Sequence, residues 1–289
     1  MKICTIYHNQ DLDGWASAAI VKYYHEKYYP QRELELVGWN YGDPIPWTEI
    51  YEANKLYLVD VSFDKNAMAV LFEKFGTDFI WIDHHVSALK ENDLELISGI
   101  QNSEKAACEH TWDWFFADKD VPEFVWYLGM YDSFRHRGTQ YELDVLRYQY
   151  AARSMIGNPG EALYRLKEWD DDDLTPIMLN SGEIIYNYLI KEAEQIYAKS
   201  KPIEFDGFRF LAVNRERFNP INFGIDYHED GYEGFACFWW DGKKWTWSLY
   251  NDDGKVDVSK IAKKRGGGGH AGAAGFQQNK LNPLNYKIK

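Results

Sequence analysis

The chain has few cysteines and no long apolar run. Its 289 residues include only Cys4, Cys108 and Cys237, which are scattered and form no CxxC pair. A disulfide framework and a thiolate zinc site are therefore both disfavoured, and a reducing cytoplasm is the expected location. No segment resembles a signal peptide or approaches the ~20 apolar residues that cross a membrane, so we expect a soluble protein.

Positive charge is also scarce. The 32 Lys and Arg residues are outnumbered by 45 Asp and Glu residues, which gives a net charge of −13. Proteins that track long nucleic acid depend on many contacts between Lys or Arg and phosphate, so binding of duplex DNA is disfavoured. A small anion remains an acceptable ligand if metal ions and backbone N–H groups supply the positive charge.

Strands and helices alternate in the first part of the chain. The predicted strands are residues 3–7, 33–39, 55–59 and 79–82, and the predicted helices between them are 14–28 and 64–75. This order predicts an α/β fold with a mostly parallel sheet flanked by helices. Ligands of such sheets bind at the carboxyl ends of the strands.

The second part of the chain predicts a smaller α/β domain. A mainly helical region, 106–152, precedes a long predicted helix, 174–199, and Pro202 follows it. The aspartate run 170–173 before this helix is interpreted as a solvated N-terminus and not as a metal site. Later segments predict strands 204–213, 233–240 and 243–250 and a helix 256–264. We expect a catalytic domain over 1–198 and a substrate-binding domain over 203–289, with the active-site cleft between them.

Acidic and imidazole side chains follow the predicted strands. They are His8, Asp11, Asp13, Asp60, Asp83, His84 and His85, with Asp132 at the end of a later apolar segment. Taken singly, an aspartate at a strand end is most often a turn or cap residue. Together, this mixture of ligands suits Mn²⁺, Mg²⁺, Zn²⁺ or Fe²⁺, because so many acids repel one another without cations. Two ions ~3.5–4 Å apart can hold a hydroxide and bind a phosphoryl group.

The ordered motifs resemble those of the DHH phosphoesterase superfamily, which is named for the triplet found here at 83–85. The other matching features are the segment HNQDLDG at 8–14, the acids Asp60 and Asp132, and the segment GGGGHAGAAGF at 266–276. The last segment resembles the DHH-associated C-terminal domain. It implies the oligoribonuclease or nanoRNase-like branch, which cleaves oligonucleotides and dinucleotides, and not the manganese pyrophosphatases.

The resemblance implies a set of metal ligands for two divalent ions, Mn²⁺ in the first place and Mg²⁺ as the other choice. One ion would be bound by His8 and Asp11, the other by Asp13, His84 and Asp132, and Asp60 would bridge the two ions.

The resemblance also implies two catalytic residues beside the metals. His85 would face the substrate phosphate, and Asp83 would orient the neighbouring imidazoles, because metal-bound histidines usually donate their other N–H to a carboxylate. Arg135 and His136, which follow Asp132, are further candidates for binding substrate.

The glycine run is expected to bind the other end of the substrate. Consecutive glycines allow positive φ and close approach of the backbone, which exposes N–H donors to an anion. By the resemblance, the contacts are Gly267, Gly268, Gly269 and His270. Relatives often have an arginine where this chain has Tyr250, and the cations at 263–265 are expected to replace it.

The sequence thus predicts an enzyme, a metal-dependent phosphodiesterase that hydrolyses short single-stranded oligonucleotides or linear dinucleotides to nucleoside monophosphates. Two alternatives share the metals: a phosphatase of 3′-phosphorylated nucleotides such as pAp, and a cyclic-dinucleotide phosphodiesterase. A third is a non-catalytic nucleotide-binding protein. Cleavage polarity, preference for RNA or DNA, and the oligomeric state stay open, and a homodimer is compatible with the sequence.

Overall fold

The computed structural model describes residues 1–92, 97–168 and 174–280. The aspartate run 170–173 lies outside these ranges. The protein is α/β, as predicted, with a parallel sheet flanked by helices and a second unit that contains its own sheet. Across the described ranges, no helix has both the length and the apolar character needed to cross a membrane.

The first sheet has four parallel strands in the order β2-β1-β3-β4. They are β1 (Lys2–His8), β2 (Glu33–Trp39), β3 (Lys55–Val59) and β4 (Phe79–Ile82). Successive side chains point to opposite faces of the sheet. Phe79 and Trp81 pack into the core on one face, and Ile80 and Ile82 pack into the core on the other. This explains why β4 is apolar throughout, since both of its faces are covered.

Within the described residues, eight α-helices precede the long helix that leads to the second sheet. They are α1 (Leu12–Tyr28), α2 (Trp47–Glu52), α3 (Lys65–Phe75), α4 (Val86–Glu91), α5 (Ala107–Phe115), α6 (Glu123–Asp132), α7 (Glu142–Met155) and α8 (Pro159–Lys167). The caps predicted for α3 are present: the carboxylate of Asp64 accepts hydrogen bonds from the N–H groups of Asn66 and Ala67, and Gly76 ends the helix with a φ of 52°. Helices α2, α4 and α8 were not predicted.

The chain divides into two compact units, Met1–Ile185 and Tyr186–Lys289. The division falls inside helix α9 (Leu174–Tyr197), earlier than the domain boundary expected at residue 198. The cause is the packing of the last turns of this helix, because Ala193, Ile196 and Tyr197 belong to a core of the second unit.

The second sheet has six strands in the order β5-β6-β7-β8-β10-β9. They are β5 (Lys201–Phe205), β6 (Phe208–Asn214), β7 (Gly234–Trp240), β8 (Trp245–Tyr250), β9 (Gly268–Gly269) and β10 (Ala273–Gln278), and helix α10 (Val258–Lys263) precedes β9. The prediction of one strand over 204–213 was wrong. Asp206 and Gly207 have φ values of 54° and 92°, and they form the tight turn of the β5–β6 hairpin. Pro202 lies in β5 at the sheet edge, where its missing N–H is tolerated.

Candidate metal centre

Seven acidic and imidazole side chains of the described residues gather at the carboxyl edge of the parallel sheet. Three overlapping groups have ligand atoms within 4.8 Å of one another: His8 with Asp11 and Asp60, Asp13 with His84 and Asp132, and Asp60 with His84 and His85. These side chains meet because parallel strands end at the same edge. The sequence-predicted ligands therefore lie together, and Asp60 belongs to two of the three groups.

The first group lies where β1 passes into α1. His8 Nδ1 lies 2.9 Å from Asp11 Oδ2 and 3.4 Å from Asp60 Oδ2. Asp11 also caps α1, because its Oδ1 accepts a hydrogen bond of 3.1 Å from the Gly14 N–H. A Cβ at Gly14 would lie 2.0 Å from the carbonyl oxygen of His8, so only glycine lets the helix start this close to the strand.

Electrostatics at His8 favour a positive charge. Burial alone would lower the pKa of His8, but the neighbouring carboxylates of Asp11 and Asp60 raise it to about 11. The carboxylates thus stabilise a cation at this position. Either a proton on the imidazole or a divalent metal ion bound by it can supply that charge.

The second group centres on His84. Its Nε2 lies 3.2 Å from Asp132 Oδ2 and 3.5 Å from Asp13 Oδ2. Asp13 has an additional role, since its carboxylate accepts hydrogen bonds from the N–H groups of Ala107, at 3.0 Å, and Cys108, at 2.7 Å, at the N-terminus of α5. Burial raises the pKa of Asp13 well above its usual value, and the charges of Asp60 and Asp132 raise it further. These acids repel one another, as expected of a site that needs cations.

Asp60 joins the two groups. It is 1% exposed and has a left-handed backbone with a φ of 60°. Its oxygens lie 3.4 Å from His8 Nδ1, 3.5 Å from His84 Nε2 and 3.7 Å from His85 Nδ1. Among the described residues, however, neither oxygen has a hydrogen-bond partner of normal geometry. Buried carboxylate oxygens almost always have one, so these oxygens are suited to metal ligation, and the residues fit two ions that share Asp60.

Asp83 orients His85. Asp83 Oδ1 accepts hydrogen bonds from the backbone N–H groups of His84, at 2.8 Å, and His85, at 3.1 Å. It also lies 2.8 Å from His85 Nδ1, which therefore donates its proton to this carboxylate. Burial lowers the pKa of His85, but the charge of Asp83 outweighs it and raises the pKa to about 9. The orienting role expected of Asp83 has a geometric basis at His85.

Arg135 and His136 have contacts that differ from the sequence prediction. Arg135 forms a salt bridge with the buried Glu109, and its Nε donates a 2.8 Å hydrogen bond to Ser133 Oγ. His136 is 2% exposed, and its Nδ1–H donates to the carbonyl of Met130 at 2.9 Å. Both side chains stabilise the bend after α6. Binding of substrate by Arg135 or His136 stays a prediction.

The glycine run is more ordered than predicted. The N–H of Gly266 donates to the carbonyl of Lys263, and the N–H of Gly267 donates to the carbonyl of Ala262, so both close the end of α10. Gly268 and Gly269 form β9, which pairs with β10. The expectation of a loop of open N–H donors is therefore corrected for the first two glycines, whose donors are used within the protein.

His270 follows β9. Its N–H donates to the carbonyl of Ala273 at 2.8 Å, so a contact with substrate would have to come from its imidazole. Close packing explains Gly267, because a Cβ there would lie 2.0 Å from the Gly275 carbonyl oxygen. Lys264 and Arg265 are both paired with Asp206, at 3.0 Å and 2.8 Å, which leaves them poor replacements for the arginine of relatives.

Sequence reasoning missed two side chains beside the cluster. Tyr41, just beyond β2, is 53% exposed, and its ring centroid lies 6.0 Å from that of His8 and 6.4 Å from that of His85. Arg153 on α7 has its Nη2 3.4 Å from the hydroxyl of Tyr131. The pKa of Arg153 is raised by the neighbouring Tyr131 and, to a smaller extent, by Asp11. The rule that ligands bind at strand ends could have identified Tyr41, but the position of Arg153 depends on helix packing.

Comparisons with known proteins find one matching family and several similar chains. Residues 2–124 match the DHH family, N-terminal domain. An uncharacterized protein, R106, of Acanthamoeba polyphaga mimivirus is 24% identical over 312 residues, which cover 94% of this chain but only 66% of that protein's length. An exopolyphosphatase-related protein from Bacteroides fragilis has a TM-score of 0.55 at 12% identity, over 98% of this chain and 88% of that one. A pGpG-specific phosphodiesterase from Vibrio cholerae has a TM-score of 0.49 at 14% identity, over 98% and 95% of the two chains.

Proposed function

We propose that this chain, a member of the DHH phosphoesterase superfamily, is a metal-dependent phosphodiesterase that hydrolyses short oligonucleotides or linear dinucleotides to nucleoside monophosphates. The observation that carries the proposal is the position of Asp60. Its two buried oxygens lie between two groups of histidine and aspartate ligands and have no hydrogen-bond partner of normal geometry among the described residues. A pair of divalent ions, most simply Mn²⁺, suits this arrangement.

Six residues would hold the ions. One ion would bind His8 and Asp11, the other would bind Asp13, His84 and Asp132, and Asp60 would be shared. When bound, two such ions lower the pKa of a coordinated water and neutralise charge on the phosphoryl oxygens.

The remaining residues of the cluster act on the substrate directly. His85, with its Nδ1 proton held by Asp83, places a positively charged imidazolium beside the phosphate and stabilises the charge that develops there. Asp83 fixes the orientation of the ring, so His85 does not need to reorganise during the reaction. Arg153 supplies a further cation for a phosphate, and Tyr41 presents an exposed ring on which a base can stack.

Charge favours short substrates. With a net charge of −13, the chain offers little general attraction for a long polyanion, so affinity depends on a few local contacts. We propose that His270 and the β9 glycines contribute such contacts in the second unit. A cytoplasmic location is part of the proposal, because all three cysteines lie in the described part of the chain, buried and without a disulfide.

The proposal is tested with one panel of substrates. Purified protein is incubated with Mn²⁺, Mg²⁺ or EDTA and with 5′-phosphorylated di- to decanucleotides, pAp, cyclic dinucleotides and pyrophosphate. We expect release of nucleoside monophosphates that depends on metal and is fastest for the shortest oligonucleotides. Turnover of pyrophosphate alone, or equal turnover in EDTA, would contradict the proposal.

A further inference from the structure

A second potential ligand site lies at the amino edge of the parallel sheet. Two adjacent cavities of about 320 Å³ and about 290 Å³ share Tyr24, Tyr29 and Phe115 in their linings. The second cavity is also lined by Lys55, the first residue of β3, and by Arg32, which directly precedes β2. We call the two cavities together the amino-edge groove. A five-residue parallel strand spans about 17 Å, so the groove is separate from the metal ligands at the other edge.

Aromatic rings form one wall of the groove. Tyr24 and Tyr28 come from the last turns of α1, Tyr29 follows them, and Phe115 ends α5. The ring centroids of Tyr24 and Phe115 are 4.9 Å apart, and those of Tyr24 and Tyr29 are 5.7 Å apart. Rings that pack on one another while also lining a cavity offer preformed faces for a planar ligand, and nucleic-acid bases stack on such faces regardless of sequence.

Positive charge collects in the same groove. Arg32, Lys55 and Lys119 line it, against one lining acid, Asp118, while Asp78 lies 3.4 Å from Lys55 Nζ. The guanidinium carbon of Arg32 lies 3.8 Å from the Tyr29 ring centroid. A guanidinium over a ring face contacts the ring through its own face, so the N–H groups at its edge remain able to bind a phosphate. Such an excess of cations is unusual in a chain with a net charge of −13.

The pKa of the buried His25 responds to the same two cations, Arg32 and Lys55. Burial lowers its pKa, and the charges of Arg32 and Lys55 lower it further, to about 4. A group that does not itself line the groove therefore experiences the same two cations.

We propose that the amino-edge groove binds a nucleotide, with its base against the tyrosine and phenylalanine rings and its phosphate at Arg32 and Lys55. The existence of the groove is independent of the proposed function. The choice of a nucleotide among aromatic anions rests on that function, which releases nucleoside monophosphates at the opposite edge of the sheet. The nucleotide is either a free monophosphate or one unit of a longer strand.

The experiment measures binding of adenosine 5′-monophosphate to the full chain by calorimetry, with Mn²⁺ and again with EDTA. This probe is a product of the proposed reaction and is not consumed in either condition. We expect Arg32→Ala and Lys55→Ala each to weaken binding about tenfold or more, as for loss of a hydrogen bond to a charged group. The control Lys201→Ala removes one exposed charge from the second unit and should leave the affinity unchanged.

Thermal unfolding of each variant confirms that it is folded, and Arg32→Lys tests the geometry, because lysine keeps the charge but loses the planar fork. We expect Arg32→Lys to bind more weakly than the unsubstituted protein. The proposal is overturned if the unsubstituted chain does not bind the nucleotide, if Arg32→Ala and Lys55→Ala both bind it normally, or if His8→Ala abolishes binding in EDTA.

A second arm uses a pentanucleotide in EDTA, where hydrolysis does not occur. Pentanucleotide binding that depends on Arg32 and exceeds that of the monophosphate identifies the substrate strand as the source of the ligand. Equal affinities identify the free nucleotide. If binding depends on Arg32 but no hydrolysis occurs in Mn²⁺, the groove proposal stands and the proposed enzymatic function is refuted. If hydrolysis occurs but no nucleotide binds at Arg32, the enzymatic function stands and the groove proposal is refuted.

Discussion

Asp60 and Asp206 share a left-handed backbone, with φ values of 60° and 54°, but have opposite surroundings. Asp206 sits in a hairpin turn and accepts hydrogen bonds from Lys264, at 3.0 Å, and Arg265, at 2.8 Å. The hydrogen bond from Arg265 lowers the pKa of Asp206. Asp60 is buried, and its oxygens lack hydrogen-bond partners of normal geometry among the described residues.

The comparison separates a structural aspartate from a functional one. At Asp206 the turn explains the backbone, and the two cations satisfy the carboxylate. At Asp60 no hairpin requires the conformation, and the partners of its carboxylate in the described part of the chain are imidazoles at 3.4–3.7 Å in place of Lys or Arg. A strained backbone combined with an unsatisfied buried carboxylate is the pattern expected where a residue is retained for its chemistry.

The strongest test of the comparison exchanges each carboxylate for an amide. Asp60→Asn keeps the left-handed backbone, which asparagine tolerates, but removes the shared metal ligand. We expect activity to fall about a thousandfold or more, because the ions both activate water and neutralise the phosphoryl group. Metal content, measured by mass spectrometry, should fall as well. Full activity of Asp60→Asn would refute the metal assignment.

Asp206→Asn is the matched control for that exchange. We expect unchanged activity and metal content, and a loss of less than about 1 kcal/mol in the free energy of unfolding, because the salt bridges involved are partly exposed. A large loss of activity in Asp206→Asn would mean that pairing with cations does not distinguish the two aspartates.

A second prediction concerns Asp83, whose carboxylate holds His85 but is not itself a proposed ligand. Asp83→Asn should lower kcat about 10–100-fold, which is typical when an orienting carboxylate is removed. The number of bound metal ions should stay at the value of the unsubstituted protein. If metal content falls together with kcat, Asp83 holds the metals and not only His85.

The third prediction concerns the cation that sequence reasoning missed. Arg153→Ala should raise KM about tenfold and change kcat less, since removing one charge-assisted contact with a phosphate weakens binding. Arg165→Ala serves as a control. Arg165 pairs with Glu168 at 3.1 Å and is neither a proposed metal ligand nor a proposed substrate contact. Equal effects of the two substitutions would indicate a general loss of positive charge.

The fourth prediction concerns stability. Bound Mn²⁺ should stabilise the folded chain by about 2.7 kcal/mol at a concentration 100 times its Kd, provided that the unfolded chain does not bind it. Thermal unfolding in EDTA and in excess Mn²⁺ measures this difference. The stabilisation by Mn²⁺ should be smaller in Asp60→Asn and unchanged in Asp206→Asn. An unchanged stabilisation in Asp60→Asn would mean that the ion does not bind at Asp60.

The fifth prediction concerns His25, which is buried and has its ring nitrogen Nε2 3.2 Å from the Tyr57 hydroxyl. Its pKa is lowered from 6.5 to about 4 in the folded chain, so between these pH values the unfolded chain binds the additional proton. Stability from this group is present above pH 6.5 and is lost as the pH falls towards 4, by no more than about 3 kcal/mol. Between pH 6.5 and 4, the free energy of unfolding measured with denaturant should fall less in His25→Gln than in the unsubstituted protein.

Local sequence patterns predicted the parallel sheet well. Strands β2, β3 and β4 have the predicted bounds: β3 and β4 are apolar segments buried on both faces, and β2 alternates polar and apolar residues at the sheet edge. The strand-end rule also predicted that the candidate ligands lie together at one edge of the sheet, as they do. The hairpin at Asp206-Gly207 was missed although its Asp-Gly pair is a turn signal, because the apolar residues on both sides were interpreted as one strand.

The sequence patterns did not predict the tertiary contacts. Nothing near Arg135 indicates that its partner is Glu109, which lies 26 positions earlier in the chain. The same holds for Asp13, whose hydrogen bonds to α5 join residues 94 and 95 positions apart. Such contacts depend on how helices pack, which spacing along a single sequence does not encode.

The contact with α5 holds the Asp13 carboxylate in place before any metal binds. The N-terminus of a helix carries roughly half a positive charge, so α5 attracts the Asp13 carboxylate whether or not an ion is near. The side chain therefore does not have to be recruited from a set of rotamers when the ion arrives. Folding has already immobilised this ligand, and the entropy of fixing it does not weaken the affinity for metal.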